Sequence, residues 1–344
     1  MMDYEPTTYP KRALSKKKGL QKKTKIMLSI LLAFLLAGSL GFVYKKQISL
    51  FLFDTFAAKD IKEKLDESYE AVGHEPDPEE EVSSTEPFSV LLLGVDPRGN
   101  ERGRSDSMIV AVVRPKDNRL LLVSVPRDTY TEIIGYGTTT KINAAYSYGG
   151  AKMSIDTVEH LLQNDIHYYA TINFNGLKDV VDAIGGVELP ITSVIENKLA
   201  SHEKLRIEPN KPIYDGKDAL SYVRYREDSD ENRTERQRIF LRAFMNELFK
   251  LKNVSKVPEL IDIAGDNFTT NMKSDLILSL AKEFFMKDSL PTITNYMLHG
   301  EGFRTDAWYY AIDPEDLTYT QQLIANWLDD DITAQELIRP DLRK

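Results

Sequence analysis

Residues 88–98 read FSVLLLGVDPR, an unbroken apolar run that leads directly into Asp96 and Arg98. Apolar residues at successive positions, closed by a glycine, are typical of a strand that is buried on both faces of a sheet. Further strands are predicted at 107–113 and 119–125, and the sequence Pro-Lys-Asp-Asn between them indicates the turn of an antiparallel hairpin. The centre of a sheet is therefore predicted here, with charged residues where its strands end.

The rest of the chain mixes strand-like and helical patterns without a strict strand–helix–strand order. Additional strands are predicted at 168–173, 187–191, 292–298 and 308–312, and helices at 151–162, 176–184, 216–223, 234–252, 257–263, 274–285 and 314–328. Gly185 and Gly186 mark the end of the second of these helices. This mixture predicts a single α/β domain in which helices cover a central mixed sheet.

The residues before this domain have the pattern of a membrane anchor. Residues 1–25 carry eight basic and two acidic side chains, whereas the 19 residues of 26–44 carry no charge. At about 1.5 Å per residue this segment nearly matches a bilayer core of roughly 30 Å, and the lysines before it predict a cytoplasmic tail. A cleaved signal peptide is the alternative, but no small-x-small cleavage pattern precedes Lys45. We expect one uncleaved transmembrane helix in a single-pass type II protein of the cell membrane.

Composition divides the remaining chain into three parts. Residues 45–87 are expected to form a stalk and an acidic linker, 88–255 the main extracytoplasmic domain, and 256–344 an extension packed on the same domain. The net charge is −9, and because the basic tail contributes +6, the other residues sum to −15. Such an acidic domain argues against nucleic acid as a partner. The absence of cysteine suits an extracytoplasmic bacterial protein.

Arginines and aspartates are concentrated in two blocks, each beside apolar sequence. The first contains Asp96, Arg98, Arg104, Asp106, Arg127 and Asp128, and the second contains Arg224, Arg226, Asp230, Arg233 and Gln237. Strand ends and helix starts are the usual places for ligands in α/β folds, and an arginine at a helix start opposes the helix dipole unless an anion binds there. Guanidinium groups match phosphate oxygens, and paired carboxylates bind Mg²⁺ or Mn²⁺. The blocks predict a site for a pyrophosphate and its metal, with local ion pairs and a solvated basic helix start as the alternatives.

Other common catalytic patterns are missing from the sequence. There is no Gly-x-Ser-x-Gly motif, and the five histidines show no metal-ligand spacing. The segment GYGTTTK at 135–141 lacks the spacing of a phosphate loop. Neither a covalent hydrolase nor a nucleoside-triphosphate enzyme is therefore indicated.

The order of the blocks resembles the LytR–CpsA–Psr family of bacterial cell-wall glycopolymer ligases. The matching segments are LGVDPR (93–98), GRSD (103–106), SVPRD (124–128), KINAAY (141–146) with GG (149–150), GGV (185–187), ALSYVRYR (219–226) and the residues from Asp230 through Arg233 to Arg236 and Gln237. The resemblance spans about residues 88–250, and the ordered set is much more specific than any one segment. It implies that 88–255 is the catalytic domain.

The resemblance also implies a reaction and roles for the site residues. A phosphate-linked anionic glycopolymer, such as a teichoic acid, would be transferred from an undecaprenyl-pyrophosphate carrier to a peptidoglycan hydroxyl, outside the membrane of a Gram-positive-type bacterium. Asp96 and Asp106 would hold Mg²⁺ or Mn²⁺, and Asp96, Arg98 and Arg127 would be catalytic. The pyrophosphate would be bound by Arg98, Arg104, Arg127, Lys141, Arg224, Arg226, Arg233 and Gln237, with Asp128 and Asp230 beside them. Asp96 and Asp106 are both open as the acceptor of the hydroxyl proton.

The polyprenyl chain of such a carrier needs an apolar slot. Candidates for its lining are Val180, Val181 and Ile184 in one predicted helix, and Phe240, Phe244 and Leu248 in another. Ordinary core packing is the alternative use of each of these side chains.

Two other functions would use the same features. One is a polyprenyl pyrophosphatase, in which water replaces the hydroxyl, and the other is a membrane-tethered lipid-binding or regulatory protein without catalysis. The presence of both metal-type aspartates together with the arginines favours catalysis. A role on DNA, which only the older naming of the family suggests, conflicts with the acidic domain and its expected place outside the membrane.

Overall fold

A six-stranded mixed sheet forms the centre of the computed structural model. In chain order the strands of the described residues are β1 (Phe88–Arg98), β2 (Glu101–Arg114), β3 (Arg119–Ser124), β4 (Tyr130–Ile133), β5 (Thr138–Lys141), β6 (Tyr168–Asn173), β7 (Ile195–Glu196), β8 (Arg206–Ile207), β9 (Phe268–Thr270), β10 (Thr292–Met297), β11 (Gly300–Arg304) and β12 (Trp308–Ile312). The central sheet has the order β10-β3-β2-β1-β6-β9, and β4–β5, β7–β8 and β11–β12 are separate hairpins. β1 is parallel to β6 and antiparallel to β2, so it lies in the interior of the sheet as predicted.

The structure describes residues 58–73, 85–98, 101–199, 204–248, 250, 257–287 and 289–340. The predicted cytoplasmic tail and the predicted span at 26–44 lie outside these residues, as do parts of the predicted stalk and linker. Within the described ranges no helix combines the length and the apolar character that a bilayer span requires.

Helices cover both faces of the sheet, which confirms the predicted α/β class. The helices of the described residues are α1 (Ala58–Glu67), α2 (Ala144–Leu162), α3 (Phe174–Ile184), α4 (Gly216–Arg224), α5 (Asp230–Leu248), α6 (Val257–Ala264), α7 (Ser274–Met286) and α8 (Pro314–Leu328). On one face Leu91 and Val110 pack with Val158 of α2 and Trp327 of α8. On the other face the side chains of Ile109, Leu122 and Tyr168 pack against α7 and α5. The alternation of β1 side chains therefore buries both of its faces.

The region after residue 255 is built into the sheet and is more than an extension packed against it. β10 pairs in parallel with the whole of β3, and β9 pairs with β6. The buried Arg114 at the end of β2 donates hydrogen bonds to the carbonyl oxygens of Trp327, Asp329 and Ile332. Carbonyls at the end of a helix have no partner within the helix, so this guanidinium satisfies the carboxyl end of α8 and the turn after it.

Several predicted elements need correction. The predicted strand at 187–191 is wrong, because only Val187 forms an isolated bridge, to Tyr214. The predicted helix at 151–162 begins earlier, at Ala144, and is interrupted at Gly150, whose φ of 69° and ψ of −150° are not helical. The predicted helix at 234–252 covers Asp230–Leu248 in the described residues. The strands β4, β5, β7, β8, β9 and β11 were not predicted, because segments of two to five residues are too short to show a period.

Candidate active site

A cavity of about 1220 Å³ opens at the carboxyl ends of β1 and β6 and contains side chains of both arginine blocks. The ionic side chains of the described residues that line it are Asp96, Arg102, Arg104, Asp106, Arg127, Asp128, Lys141, Arg224, Arg226 and Arg233. Its apolar lining includes Leu92, Ile109, Ile172, Phe174, Leu177, Val180, Phe240, Phe244 and Phe268. Among the described residues, seven basic and three acidic side chains line the cavity, an excess of four positive charges in a chain whose net charge is −9. The cavity is therefore suited to an anion that carries an apolar group.

A β-bulge in β2 brings Asp106 and Arg104 to this cavity. The register of β1 against β2 shifts here, from the pair of Gly94 with Ser107 to the pair of Val95 with Ser105. Asp106 is thus the extra residue, and because side chains alternate along a strand, the bulge exchanges the faces of the residues before it. Arg104 comes to lie opposite Asp96, while Ser105 is fully buried. Without the bulge, Arg104 would point towards the core and Ser105 towards the cavity.

The first block forms a partly buried ionic network. Arg127 Nη1 donates to Asp106 Oδ1 at 2.6 Å, and Arg127 Nε lies 3.6 Å from Asp128 Oδ2. Lys141 Nζ lies 2.8 Å from Asp128 Oδ1. The backbone N–H groups of Ile142 and Asn143 donate to the carbonyls of Thr129 and Arg127, which fixes the end of β5 beside the end of β3. The alternative of local ion pairs is thus correct for Arg127, but these pairs lie within the shared cavity.

The second block reaches the cavity from two helices. Arg224 is the last residue of α4, and its guanidinium carbon lies 4.6 Å from the centre of the Phe174 ring. Arg233 is buried in the first turn of α5, where an arginine opposes the helix dipole. Arg226 is exposed between the two helices and forms no ion pair with another described side chain. All three line the same cavity as Arg127, so the two blocks meet although they are about a hundred residues apart.

Arg236 supports this block without lining the cavity. Its two Nη atoms donate to the two carboxylate oxygens of Asp228 at 2.7 and 2.8 Å, and Nη2 also donates to the carbonyl of Tyr225 at 2.6 Å. The guanidinium lies 4.9 Å from the centre of the Tyr225 ring. These contacts close the turn at 225–228 and thereby position Arg226.

The pKa of Asp228 shows that this turn is held by charge. Burial alone raises the pKa of the carboxyl, but hydrogen bonds from Arg236 and from the Ser229 N–H lower it below its usual value. A carboxyl whose pKa is lowered by folding contributes stability above its unfolded pKa, and this contribution is lost as the pH falls through the folded pKa. The contribution of the Asp228 carboxylate to the stability of this turn is therefore complete at neutral pH, and it is lost only in acid, below a pH of about 4.

Asp96 and Asp106 form a donor set that suits Mg²⁺ or Mn²⁺. Their strands are adjacent, and both carboxylates line the cavity, although Asp106 Oδ1 also accepts from Arg127. Within the described residues no three side chains of His, Cys, Asp or Glu form a cluster that could hold a metal by themselves. Mg²⁺ usually keeps several waters and is bound by one or two carboxylates together with substrate phosphates. The two aspartates fit an ion that binds together with a pyrophosphate.

Most of the predicted site residues line this one cavity, and the side chains of the other two lie outside the described part of the structure. The cavity lining includes Gln237 in addition to the ten ionic residues named above. Arg98 ends β1 and Asp230 begins α5, but their side chains lie outside the described part of the structure. Of the predicted apolar residues, Val180, Phe240 and Phe244 line the cavity. Val181 and Ile184 are instead buried in a core between α3, α4, α5 and α6, and Leu248 packs against that core.

The sequence did not single out several cavity residues, among them Arg102, Phe174 and Asn143. Arg102 precedes Arg104 by two positions in β2, so strand alternation was a signal for it. Phe174 follows β6 directly and stacks on Arg224, which no sequence pattern indicated. Asn143 lies within the motif KINAAY, and the structure buries its side chain at the cavity wall. Asn143 Oδ1 accepts no hydrogen bond from any described residue, so it can accept one from a ligand.

Comparisons with known proteins place the chain in one family. Residues 52–325 match the model of the LytR_cpsA_psr family. A relative from Enterococcus faecalis, named polyisoprenyl-teichoic acid–peptidoglycan teichoic acid transferase TagU, is 36% identical over 276 residues, which cover 78% of this chain and 89% of the relative. A crystal structure of the protein gbs0355 from Streptococcus agalactiae superposes with a TM-score of 0.65 at 31% identity, covering 75% of this chain and 94% of that protein. A solved structure of TagT bound to LIIa-WTA gives a TM-score of 0.61 at 26% identity, with coverages of 75% and 98%.

Proposed function

This chain belongs to the LytR_cpsA_psr family, and on that basis we propose that it transfers a phosphate-linked glycopolymer from a polyisoprenyl-pyrophosphate carrier to a peptidoglycan hydroxyl. The sequence-based prediction of a transferase is confirmed by the name of its TagU relative. The observation that carries the full proposal is the cavity, in which the described side chains place an excess of four positive charges beside a wall of apolar side chains. A lipid-linked pyrophosphate has the complementary distribution of charge and apolar surface.

The proposed binding mode follows from the two parts of the cavity lining. Ile172, Leu177, Val180, Phe240 and Phe244 would contact the polyisoprenyl chain, because burying apolar carbon there stabilises the complex by about 25 cal/mol per Å². The arginines of the two blocks would bind the pyrophosphate oxygens through their forked N–H groups. Mg²⁺ held by Asp96 and Asp106 would supply further positive charge to those oxygens.

In the proposed reaction the acceptor hydroxyl oxygen attacks the phosphorus atom that carries the glycopolymer. A new oxygen–phosphorus bond forms, the bond to the bridging pyrophosphate oxygen breaks, and polyisoprenyl phosphate leaves with the electron pair. The hydroxyl proton passes to Asp96 or Asp106, both of which line the cavity. Negative charge grows on the leaving phosphate, so arginines that are already in place stabilise the transition state more than the ground state.

The test of this proposal is a transfer assay with the full chain in detergent. We expect Mg²⁺, a synthetic polyisoprenyl-pyrophosphate disaccharide and peptidoglycan oligomers to give a disaccharide–peptidoglycan phosphodiester and an equal amount of polyisoprenyl phosphate. Both products are measured by mass spectrometry. Release of polyisoprenyl phosphate without conjugate would instead identify a pyrophosphatase, and binding of the donor without release would identify a non-catalytic lipid-binding protein.

The proposed reaction also requires that the domain lie outside the membrane. The lysine-rich tail and the uncharged residues 26–44 support a type II orientation. Protease added to intact protoplasts should therefore digest the chain beyond residue 87 and spare an epitope tag placed before residue 1. Protection of the C-terminal domain in intact protoplasts would contradict both the orientation and the cell-wall function.

A further inference from the structure

Exposed aromatic side chains of the described residues gather beside the polar end of the cavity. The four most exposed are Tyr130, Tyr136, Tyr148 and Trp308, with exposed fractions of 46%, 55%, 41% and 58%. The three tyrosines belong to the β4–β5 hairpin and to the start of α2, which pack against each other. We use the name aromatic rim for these tyrosines together with the half-buried rings that contact Tyr130, which are Phe303 and Tyr309. Trp308 is not part of the rim, because it points to the opposite face of β12 from Tyr309.

The rings of the aromatic rim hold one another in fixed positions. Tyr136 and Tyr148 are stacked with their centres 3.9 Å apart and their planes at 14°. Tyr130 meets Tyr309 at 4.9 Å and Phe303 at 5.6 Å, edge to face in both cases. Such arrangements are favourable for aromatic pairs and leave little side-chain entropy to lose when a ligand binds.

The backbone also presents Tyr136 towards solvent. Gly135 and Gly137, on either side of it, have φ values of 81° and 70°, which side chains other than glycine rarely adopt. The segment 135–141, which does not have the spacing of a phosphate loop, therefore consists of the β4–β5 turn, which exposes one aromatic ring, and of β5.

The aromatic rim is continuous with the candidate active site. Tyr148 lines the cavity itself, and Lys141 Nζ, another cavity residue, lies 5.8 Å from the centre of the Tyr309 ring. The N–H of Tyr310 in β12 donates to the carbonyl of Asp128 at 2.8 Å. A molecule lying on the rim would therefore lie close to Asp128 and Lys141, where the pyrophosphate is proposed to bind.

We propose that the aromatic rim is the docking surface for the glycan strand of the peptidoglycan acceptor. This inference rests on the proposed function, to which it adds the place where the acceptor lies. Pyranose rings have one face of C–H groups that packs on aromatic rings, while tyrosine hydroxyls and the threonines of β5 can bond the sugar hydroxyl and acetamido groups. Two groups of fixed rings beside the proposed phosphoryl-transfer site fit a polysaccharide better than they fit a folded protein partner.

Charge distinguishes the acceptor from the glycopolymer that is transferred. The charged residues of the two hairpins are Glu132, Lys141, Glu301, Arg304 and Asp306. Lys141 is paired with Asp128 in the cavity, so carboxylates outnumber the remaining basic side chain by three to one. Such a surface gives no attraction to a polyanionic chain, whereas the amino sugars of a glycan strand are uncharged at most positions.

The test uses the full chain in detergent and insoluble peptidoglycan from which anionic polymers have been removed. The variants are Tyr130→Ala, Tyr136→Ala and their combination, with Tyr130→Phe/Tyr136→Phe to restore the rings. Trp308→Ala is the matched control. Trp308 is similarly exposed, but its ring lies on the face of the β11–β12 hairpin opposite to Tyr309 and the aromatic rim. We expect the double alanine variant to co-sediment with peptidoglycan roughly tenfold more weakly, the phenylalanine variant to bind nearly as wild type, and Trp308→Ala to bind as wild type.

A second measurement separates acceptor from donor. Binding of a fluorescent polyisoprenyl-pyrophosphate disaccharide should be unchanged in the double alanine variant, and in the transfer assay only the KM for peptidoglycan should rise. Unchanged sedimentation, an equal loss in Trp308→Ala, or weaker donor binding in parallel would each overturn the inference. Sedimentation needs no donor, so ring-dependent binding by a chain without transfer activity would refute the proposed function while supporting the rim as a glycan surface.

Discussion

Replacing Arg127 or Arg226 with alanine is expected to lower transfer by roughly a hundredfold or more and to weaken binding of the lipid-linked pyrophosphate. An exposed ion pair contributes only about 0–1 kcal/mol, whereas a guanidinium that binds a desolvated phosphate contributes several kcal/mol. Arg226 is the cleaner of the two tests, because it is exposed and has no ion pair with another described side chain. Arg127→Ala also removes the partner of Asp106. Transfer rates and donor affinity should therefore fall while the melting temperature of Arg226→Ala stays that of the wild type.

The controls for this prediction are a distant arginine and two lysine variants. Arg206 forms exposed ion pairs with Glu196 and Glu208 outside the cavity, so Arg206→Ala should transfer normally. Arg127→Lys and Arg226→Lys should recover only part of the activity, since lysine has no forked donor. Losses in the double variant should be less than additive if both residues bind one ligand. Normal binding and turnover in both alanine variants would show that the two blocks do not form a site.

Removal of either Asp96 or Asp106 is expected to abolish Mg²⁺-dependent transfer. Two neighbouring carboxylates repel each other unless a cation lies between them, and a pyrophosphate without its metal loses charge neutralisation in the transition state. Asp96→Ala should not lower the melting temperature of the metal-free protein. Asp106→Asn is the better variant at the second position, because its amide oxygen can still accept the hydrogen bond from Arg127 while the charge is lost.

The measurement is the transfer rate as a function of Mg²⁺ and Mn²⁺ concentration. Asp179→Ala is the control, since Asp179 lies in an exposed pair with Lys178 away from the cavity and should respond to the metal as the wild type does. Full activity of Asp96→Ala and Asp106→Asn at every metal concentration would refute the metal assignment. A loss that high metal concentration restores would support it.

The sequence predicted the elements whose pattern is long enough to show a period. β1, β3, β6 and α8 follow from runs of six or more apolar or periodic residues, and the turn between β2 and β3 from its proline and asparagine. The hairpins β4–β5 and β11–β12 were not predicted as such, because their pairing depends on contacts with each other and not on local alternation. Residues 187–191 are apolar like a strand but contribute Val187, Leu189 and Ile191 to a core between helices.

The sequence indicated residues that line the cavity, but not how the chain brings them together. Arginines at strand ends and at a helix start indicated a phosphate site before any contact was known. Phe174 could not be assigned, because its position at the cavity depends on where the chain segments meet, whereas strand alternation was a signal for Arg102 and the motif KINAAY contains Asn143. The aromatic rim could not be predicted from the sequence either, because it forms only through tertiary contacts. Tyr130 and Phe303, for example, are more than 170 residues apart and share no motif.

The bulge at Asp106 makes the register of β2 as important as its composition. If Asp106 were drawn into regular pairing with Val95, every residue from Ser105 back towards the turn would exchange faces. Guanidinium groups would then meet the core, and serine and glycine the cavity. Loss of Asp106 itself would keep Arg104 opposite Asp96 but would remove one of the two carboxylates. A slip of one residue in register, with no change of composition, is therefore the smallest alteration that would turn the arginines of β2 away from this side of the site.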